Sequence, residues 1–379
     1  MALVAVALAT AAGDAGYQTR GVVDHLPVFT REVLARIKHS LAWNSEAFPD
    51  FDAWRQQARA KLRASLLAQP PAAPWSITWL EEEDRGSYVA HKLAFNLTGD
   101  TRALAYLTVP KGVGPFPAVL LLHDHGAKFD IGKEKVIRPW GIPEEKLEAA
   151  RKWTEQNYGG RFLGDELARR GYVCFSTDAL NWSDRGGGGF DGQQTLASNL
   201  LHLGMSMAGL MAWEDLRSAE FLAQQRQVDP GRIAAMGWSM GGFRAWQVAA
   251  LSDHVAAAVA VCWMNTVDQL MTSGNNQTKG NSAYNMVHPG LLDSLDFPDL
   301  ASIACPKPVL FFNGRQDRLF PVAGVEAAFA QMRRVWSAQG AGDRLVTKLW
   351  DTPHTFNAAM QDEAFAWLEK AMAVTTTRK

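Results

Sequence analysis

The stretch "AAMGWSMGGFRAW", Ala234 to Trp246, decides the fold. Small apolar residues typical of a buried strand run up to Gly237, and a helical pattern begins near Gly242. Between them stands Ser239, where closely spaced glycines let neighbouring backbones approach and leave a hydroxyl exposed above a sheet. Two interpretations are open at this point. One is a tight strand-to-helix turn with an incidental serine, and the other is a strained turn that presents a nucleophile.

Composition limits the possible partners. The chain has 379 residues, 47% of them hydrophobic, and a net charge of −1. This apolar content is sufficient for a sizeable core without a metal or a disulfide framework. The balanced charge favours neither nucleic acid nor an anionic membrane as a partner. The three cysteines, Cys174, Cys262 and Cys305, stand in apolar, strand-like runs, so we expect small buried side chains.

The first 75 residues of the sequence fall into two segments that precede the main domain. Residues 1–20 contain an apolar run that matches a secretory signal and is too short to span a bilayer. The positive residues that usually precede such a run are missing, so an ordered arm is the alternative. We therefore predict a signal-like segment here, and a periplasmic or secreted location over a cytoplasmic one. Helical periodicity then predicts an extension at residues 21–75, before the main domain at residues 76–379.

The main domain has two patterns of strands. Residues 76–109 alternate in polarity and contain turns, as antiparallel strands do. From residue 117 onward, short apolar runs alternate with helical stretches, which predicts a mostly parallel central sheet with helices on both faces. The apolar runs are residues 118–123, 172–178, 233–239, 255–263, 308–314 and 345–351.

Three connections between these strands are longer than a simple link requires. They span residues 127–160, 181–204 and 264–300. Each follows the carboxyl end of a predicted strand, where open α/β sheets bind their ligands. We therefore expect these insertions to form the rim of a site.

Two downstream residues have the chemistry that a serine nucleophile needs. A serine hydroxyl requires a base, and His354 follows the last predicted strand in "LWDTPHTF". An imidazole base requires a carboxylate, and Asp317 follows the preceding strand in "FFNGRQDRLFP". Asp351 and Asp268 are the competing acids. Asp351 is so close to the histidine in the chain that we do not expect it to reach the ring.

Backbone amides near the serine are candidate oxyanion donors. The amide of Met240 lies at the start of the predicted helix, where donors are unsatisfied and the helix dipole is positive. The second donor should come from "HDHGAKFD", with the amide of His125 as the first candidate and that of Ala127 as the alternative. His123 and His125 are also a possible pair of metal ligands. No further ligand set completes such a site, so we expect neither metal nor cofactor.

Four residues are candidates for contacts with a substrate. Trp182, Trp238 and Trp263 fall at or just after strand ends, where aromatic faces stack on sugar or aromatic rings, although core packing is the default expectation for each. Arg185, in a glycine-rich loop expected to edge the site, has a donor fork for a substrate carboxylate, although a surface salt bridge is the commoner arrangement. We expect "GKEK", residues 132–135, to be a solvated turn.

Together these motifs resemble the α/β-hydrolase superfamily, whose triads have the chain order Ser239, Asp317, His354. Within it, "LLLHDHG", "GWSMGGFRAW", "FFNGRQDRLFP" and "DTPHTF" resemble dienelactone-hydrolase-like and acetyl-xylan-esterase-like bacterial esterases, over about residues 80–370. The resemblance implies a carboxylic-ester hydrolase that needs no metal and no cofactor. Dienelactone hydrolases proper have a cysteine nucleophile, so the serine in this chain favours ordinary ester cleavage.

The sequence therefore predicts a serine esterase that acts through an acyl-enzyme on a small acyl ester, namely acetylated or acylated carbohydrate. Small aromatic esters are the second candidate substrates. A serine peptidase of the prolyl-oligopeptidase type has the same triad, but the chain offers no second large domain to gate peptides. A binding protein of the same fold would ordinarily lack a triad residue, and none is missing here. The oligomeric state is left open.

Overall fold

The computed structural model describes residues 21–373, so the predicted signal-like segment at residues 1–20 lies outside the described residues. The N-terminal extension consists of a small ribbon and two helices. They are β1 (Val22–Val23), β2 (Leu26–Pro27), α1 (Thr30–Arg36) and α2 (Phe51–Ser65). Helix α2 begins after Asp50, whose carboxylate accepts a hydrogen bond from the amide of Ala53.

Nine strands form the central sheet, and a separate two-stranded ribbon (β10 with β11) lies outside it. The remaining strands are β3 (Thr78–Asp84), β4 (Tyr88–Asn96), β5 (Arg102–Pro110), β6 (Phe116–Leu122), β7 (Val173–Thr177), β8 (Val228–Trp238), β9 (Ala257–Val261), β10 (Met271–Thr272), β11 (Asn275–Asn276), β12 (Val309–Gly314) and β13 (Leu345–Trp350). The sheet order is β13-β12-β9-β8-β6-β7-β5-β4-β3. Neighbours from β13 to β7 pair in parallel, and β5, β4 and β3 continue the sheet in antiparallel pairs. The mostly parallel sheet is therefore confirmed.

Helices lie between the strands and within the three insertions. They are α3 (Glu144–Asn157), α4 (Leu163–Arg169), α5 (Gly189–His202), α6 (Met207–Ala223), α7 (Met240–Leu251), α8 (Val267–Leu270), α9 (Phe297–Ser302), α10 (Val322–Ala338) and α11 (Ala358–Ala371). Helix α5 begins inside the glycine-rich stretch that was expected to be a loop. Within residues 21–373, no helix combines the length and the apolar character that crossing a membrane requires.

The sheet separates two apolar cores. Side chains of a strand alternate between its faces, so Leu120 of β6 joins one core and Leu121 joins the other. Helices α2, α6, α7 and α10 contribute to the first core, and α4 and α11 contribute to the second. The three cysteines are buried thiols, as expected. Helices on both faces are the predicted arrangement for these continuous apolar strands.

The N-terminal extension packs on the same core as the sheet. Trp54 of α2 is completely buried, and its indole N–H donates a 2.7 Å hydrogen bond to the carbonyl of Leu41. Two arginines of the same helix bind distant backbone carbonyls: Arg55 binds that of Cys305 (3.2 Å) and Arg63 binds that of Leu251 (3.0 Å). Helix α2 is therefore anchored to the carboxyl end of α7 and to the turn before β12.

Helix α7, which follows β8, packs very closely on the sheet at its first turn. A Cβ atom on Gly241 would lie 1.9 Å from the carbonyl oxygen of Leu122, at the end of β6. A Cβ atom on Gly237 would lie 2.3 Å from the backbone of Gly241. Both distances are far below van der Waals contact. The glycines are thus required by space, and they let the first turn of α7 lie directly against β6.

We predict that Trp54→Ala lowers the free energy of unfolding by about 3–5 kcal/mol, because it removes a completely buried indole and leaves a cavity. Urea denaturation of the whole chain measures this effect. The matched control is Trp79→Ala at a ring that is 53% exposed, for which we expect a much smaller change. Equal effects of the two substitutions would show that the extension is not part of the cooperative core.

Candidate active site

The backbone of Ser239 is strained. Strand β8 ends at Trp238 and α7 begins at Met240, and the serine between them has φ 58° and ψ −127°. A residue other than glycine reaches this region only at a cost of about 1–3 kcal/mol. Two hydrogen bonds hold the turn: the amide of Ser239 donates to Val261 (2.8 Å), and its carbonyl accepts from Phe243 (3.1 Å). Of the two interpretations of this stretch, the strained turn is the one that the structure contains.

A continuous hydrogen-bonded chain joins the serine to the two downstream residues. His354 Nε2 lies 2.9 Å from Ser239 Oγ, and His354 Nδ1 lies 2.6 Å from Asp317 Oδ2. The other carboxylate oxygen of Asp317 accepts a 2.9 Å hydrogen bond from the amide of Leu319. The carboxylate is completely buried, whereas the histidine side chain is 20% exposed. The arrangement can pass a proton from the hydroxyl to the imidazole.

The competing acids lie elsewhere. Asp351 is exposed and accepts a hydrogen bond from the side chain of Gln316 (2.9 Å). Asp268 is exposed at the start of α8. Asp317 follows β12 and His354 follows β13, so the carboxyl ends of adjacent parallel strands bring these two side chains together. The structure therefore joins the three residues that the sequence singled out.

Aromatic rings enclose the imidazole. The ring of Trp238 is centred 4.8 Å from that of His354, and Phe320 stacks on His354 at 6.1 Å. Burial is the largest single influence and opposes the charged imidazolium, but the interactions with Asp317 and Cys262 together outweigh it and raise the pKa of His354 above its ordinary value. Phe320 was not predicted, although its position three residues after Asp317 was a usable signal.

One proposed oxyanion donor belongs to α7 and the other to the "HDH" loop. The amide of Met240 belongs to the first turn of α7, where no intrahelical acceptor exists. In the loop, the amide of Ala127 already donates to His125 Nδ1 (3.0 Å). Because the alternative donor is engaged by a ring nitrogen, the amide of His125 is the better candidate.

Both imidazoles of the "HDH" run are held as neutral rings within the protein. His123 Nε2 accepts from the amide of Ala179 (3.0 Å), which places the ring proton on Nδ1, next to the carbonyl of Asp124 (2.9 Å). His125 Nε2 lies 2.9 Å from the side-chain oxygen of Gln193. Burial lowers the pKa of His125 to about 4 and lowers that of His123 well below its ordinary value. These contacts occupy the ring nitrogens that metal ligation would need.

Two sets of side chains within residues 21–373 bring three potential metal ligands together. One set is Cys262, Asp317 and His354, and the other is Glu134, Asp178 and Asp184. In the first set, the carboxylate and the imidazole bind each other. In the second, the ammonium group of Lys133 occupies the centre, at 2.8, 2.7 and 2.6 Å from the three carboxylates. A protein cation therefore already neutralises the acidic set.

The run "GKEK" corrects an expectation. It was predicted to be a solvated turn, but Lys133, Glu134 and Lys135 are at most 1% exposed. The Lys133 ammonium neutralises buried carboxylates, and Lys135 donates to the carbonyls of Asp124 (3.0 Å) and His125 (3.1 Å). Burial of these charges is possible because each one is paired. The run therefore holds the "HDH" loop in place through these hydrogen bonds.

Arg185 is the second correction. Its side chain is 7% exposed and forms a bidentate ion pair with Glu214 of α6, at 2.6 and 2.7 Å. It also donates to the carbonyl of Asp178 (2.9 Å). The guanidinium group is thus neither available to a substrate carboxylate nor part of a surface salt bridge, the two outcomes that the sequence suggested. It joins α6 to the end of β7.

The three tryptophans have three different positions. Trp182 is completely buried and donates to the carbonyl of His125 (3.3 Å), so it supports the loop and is not available to a substrate. Trp238 is 3% exposed and packs behind His354. Trp263 lines an apolar cavity of about 300 Å³ beneath the insertion at residues 264–300. Of the three rings, that of Trp263 is therefore the one that lines this cavity.

The remaining walls of this cavity come from the third insertion and its neighbours. They include Leu270, Met271, Ala283, Leu291, Phe297 and Leu300. Trp263 also contacts Phe320, with ring centres 5.6 Å apart, and Phe320 in turn stacks on His354. The rings of Trp263 and Phe320 thus lie between the cavity and the imidazole of His354.

Comparisons with known proteins agree with this architecture. The model of the Abhydrolase family matches residues 8–334. "Putative hydrolase YtaP" of Bacillus subtilis (strain 168) is 29% identical over 317 residues, which are 83% of this chain and 99% of that protein.

Two solved structures are similar in fold. A glucuronoyl esterase from Solibacter usitatus has a TM-score of 0.65 at 14% identity, with 89% of this chain and 99% of that chain covered. Acetyl xylan esterase 1 from Thermoanaerobacterium sp. JW/SL YS485 has a TM-score of 0.52 at 16% identity, with 92% and 99% covered. At these identities the likeness shows the fold. With the family match, it confirms the predicted α/β-hydrolase fold and the predicted enzyme class: the chain belongs to the Abhydrolase family of hydrolases.

Proposed function

We propose that the chain is a serine-dependent carboxylic-ester hydrolase that acts through an acyl-enzyme. The observation that carries the proposal is the hydrogen-bonded chain from Ser239 Oγ through His354 to Asp317, built on a strained turn at the end of β8. Backbone strain at a partly exposed serine is typical of functional sites. A serine that served only the turn would need neither the imidazole nor the buried carboxylate.

The geometry supports a two-step reaction. His354 Nε2 takes the proton of Ser239 Oγ as the oxygen attacks the ester carbonyl, and the amides of Met240 and His125 donate to the oxyanion that forms. His354 then protonates the alkoxide, which leaves as an alcohol. In the second half, His354 takes a proton from water, the resulting hydroxide attacks the acyl-enzyme, and the acid leaves as Ser239 recovers its proton.

Asp317 has a fixed task in this scheme. Its carboxylate accepts a hydrogen bond from the Nδ1–H group of His354. This bond orients the ring and leaves Nε2 with a free lone pair towards the serine. The same carboxylate favours the imidazolium that forms during the attack. Because it is completely buried, its electrostatic effect is weakly screened by water.

For the substrate, we propose a small acyl ester of a carbohydrate. Proteins of similar fold include acetyl xylan and glucuronoyl esterases, and this likeness supports an ester on a sugar polymer. The partial exposure of Ser239 and His354 supports an ester group that projects from a larger molecule into a narrow opening. Acetylated xylooligosaccharides and methyl esters of glucuronic acid are the first substrates to compare.

We predict that Ser239→Ala lowers kcat/KM for the best ester by at least about 10³-fold, since the nucleophile is lost while the fold is kept. Release of acetate or methanol measures the rate. Ser87→Ala, the same substitution at an exposed turn, is the matched control and should retain full activity. Undiminished hydrolysis by Ser239→Ala would refute the assignment of the nucleophile. Cleavage of peptide amides but not esters would favour a peptidase, and binding without turnover would favour a binding protein.

A second prediction concerns pH. Only neutral His354 accepts the serine proton, and its pKa is raised, so kcat/KM of the wild type should fall as the pH drops through a value above 6.5, the ordinary pKa of a histidine. Asp317→Asn removes the carboxylate that favours the imidazolium. The acid limb should then move to lower pH, with a rate loss of about 10³- to 10⁴-fold. An acid limb that stays in place would show that Asp317 does not set the titration.

Small aromatic esters are the second candidate because Trp263 borders an apolar cavity of about 300 Å³, which is large enough for an aromatic ring. Ala283 lines this cavity, and Ala283→Phe should fill part of it. If aromatic groups bind there, this variant raises KM for methyl cinnamate about tenfold, the effect of losing a modest apolar contact, and leaves methyl acetate unaffected. Val113→Phe, at a side chain that is 97% exposed, is the control. Equal kinetics of both variants on both esters would exclude the cavity as an aromatic site.

A further inference from the structure

The ammonium group of Lys135 binds the backbone of the loop that carries the proposed oxyanion donor. Lys135 is completely buried, and its Nζ lies 3.0 Å from the carbonyl oxygen of Asp124 and 3.1 Å from that of His125. It also lies 3.4 Å from a carboxylate oxygen of Asp124. This buried lysine thus donates to two consecutive carbonyl groups, in addition to its contact with the carboxylate that neutralises its charge.

One of these carbonyls belongs to the same peptide group as the donor. The oxygen of Asp124 and the N–H of His125 are joined by one planar peptide bond, so fixing the oxygen fixes the direction of the N–H. His123 Nδ1 donates to the same oxygen (2.9 Å). A charged donor on a carbonyl also polarises the peptide, which makes its N–H a stronger hydrogen-bond donor.

Further contacts hold the ammonium group in place. The other carboxylate oxygen of Asp124 accepts hydrogen bonds from Tyr158 Oη (2.8 Å) and Trp153 Nε1 (3.2 Å). The ring of Trp153 is centred 5.1 Å from Lys135 Nζ, within cation–π range. The lysine therefore has one position, and the peptide that it binds has one orientation.

The same loop lies on the first turn of the nucleophile helix. Arg244 of α7 forms a buried bidentate ion pair with Asp215 and donates to the carbonyl of His123 (3.3 Å). The position of a Cβ on Gly241 is 3.1 Å from that same carbonyl. The loop that Lys135 holds is thus in contact with the turn that carries the Met240 amide.

From these contacts we infer that Lys135 is a positioning residue for ester hydrolysis: it orients and polarises the Asp124–His125 peptide so that the His125 amide stabilises the oxyanion. This inference rests on the proposed esterase function. Lys133, two residues earlier, is also buried, yet its ammonium binds the carboxylates of Glu134, Asp178 and Asp184 and lies 5.1 Å from the centre of the Tyr106 ring. The two buried lysines therefore have different tasks, one electrostatic and one directed at the backbone.

The test uses Lys135→Met in the full chain, which removes the charge and keeps the length of the side chain. We expect kcat for an ester to fall about 10- to 100-fold with KM nearly unchanged, since loss of one oxyanion donor costs about 10²–10³-fold and the amide here is weakened but not removed. Lys152→Met is the matched control, because it is the same substitution at a lysine of α3 that is 62% exposed and pairs with Glu148 on the surface. It should stay within about threefold of the wild type.

A second readout separates catalysis from folding. A thionoester places sulfur, a weaker hydrogen-bond acceptor than oxygen, where the oxyanion forms. The ratio of kcat for an ester to kcat for its thionoester should therefore fall in Lys135→Met and stay constant in Lys152→Met. Thermal unfolding establishes that the rates refer to folded protein.

Three outcomes would overturn the inference. Lys135→Met with wild-type kcat would show that the ammonium has no effect on the reaction. An equal loss on ester and thionoester would show a structural effect only. Wild-type protein that hydrolyses no ester faster than Ser239→Ala would overturn the esterase proposal and this inference with it, and so the two failures are distinguishable.

Discussion

The contact between the first turn of α7 and the end of β6 is the constraint on which the site depends. Gly241 lies so close to the carbonyl of Leu122 that any side chain would collide with it. Ser239 has its positive-φ conformation at the start of the same turn, and the carbonyl of His123 in the "HDH" loop lies beside Gly241. The proposed nucleophile, the positive end of the helix dipole and the loop with the proposed oxyanion donor therefore meet at this one contact.

Local patterns predicted much of this from the sequence. Apolar runs between helical stretches gave the parallel strands, because a sheet covered on both faces buries every residue of a strand. The residues at the ends of those strands were then expected at one edge, and Ser239, Asp317 and His354 do meet there. The order of residues along the chain and the ends of strands can both be read from a sequence pattern.

The buried charges escaped prediction for a physical reason. Charged residues in a turn are ordinarily solvated, and only partners distant in the chain make their burial possible. Lys133 pairs with Asp178, and Arg185 pairs with Glu214, through contacts that no periodicity marks. Trp182 was a candidate for substrate contact with core packing as the default expectation, and its ring is packed in the protein. Its position after a strand end was visible in the sequence, but the carbonyl that binds its indole was not.

The docking of α2 also has a consequence for the order of events during synthesis. This helix ends at Ser65, yet its arginines bind the carbonyls of Leu251 and Cys305, the latter 250 residues beyond Arg55. The surface that completes its burial does not exist until Cys305 has left the ribosome. Helix α2 is therefore synthesised before the surface on which it packs. Contacts of such long range slow folding and leave apolar surface accessible to chaperones in the meantime.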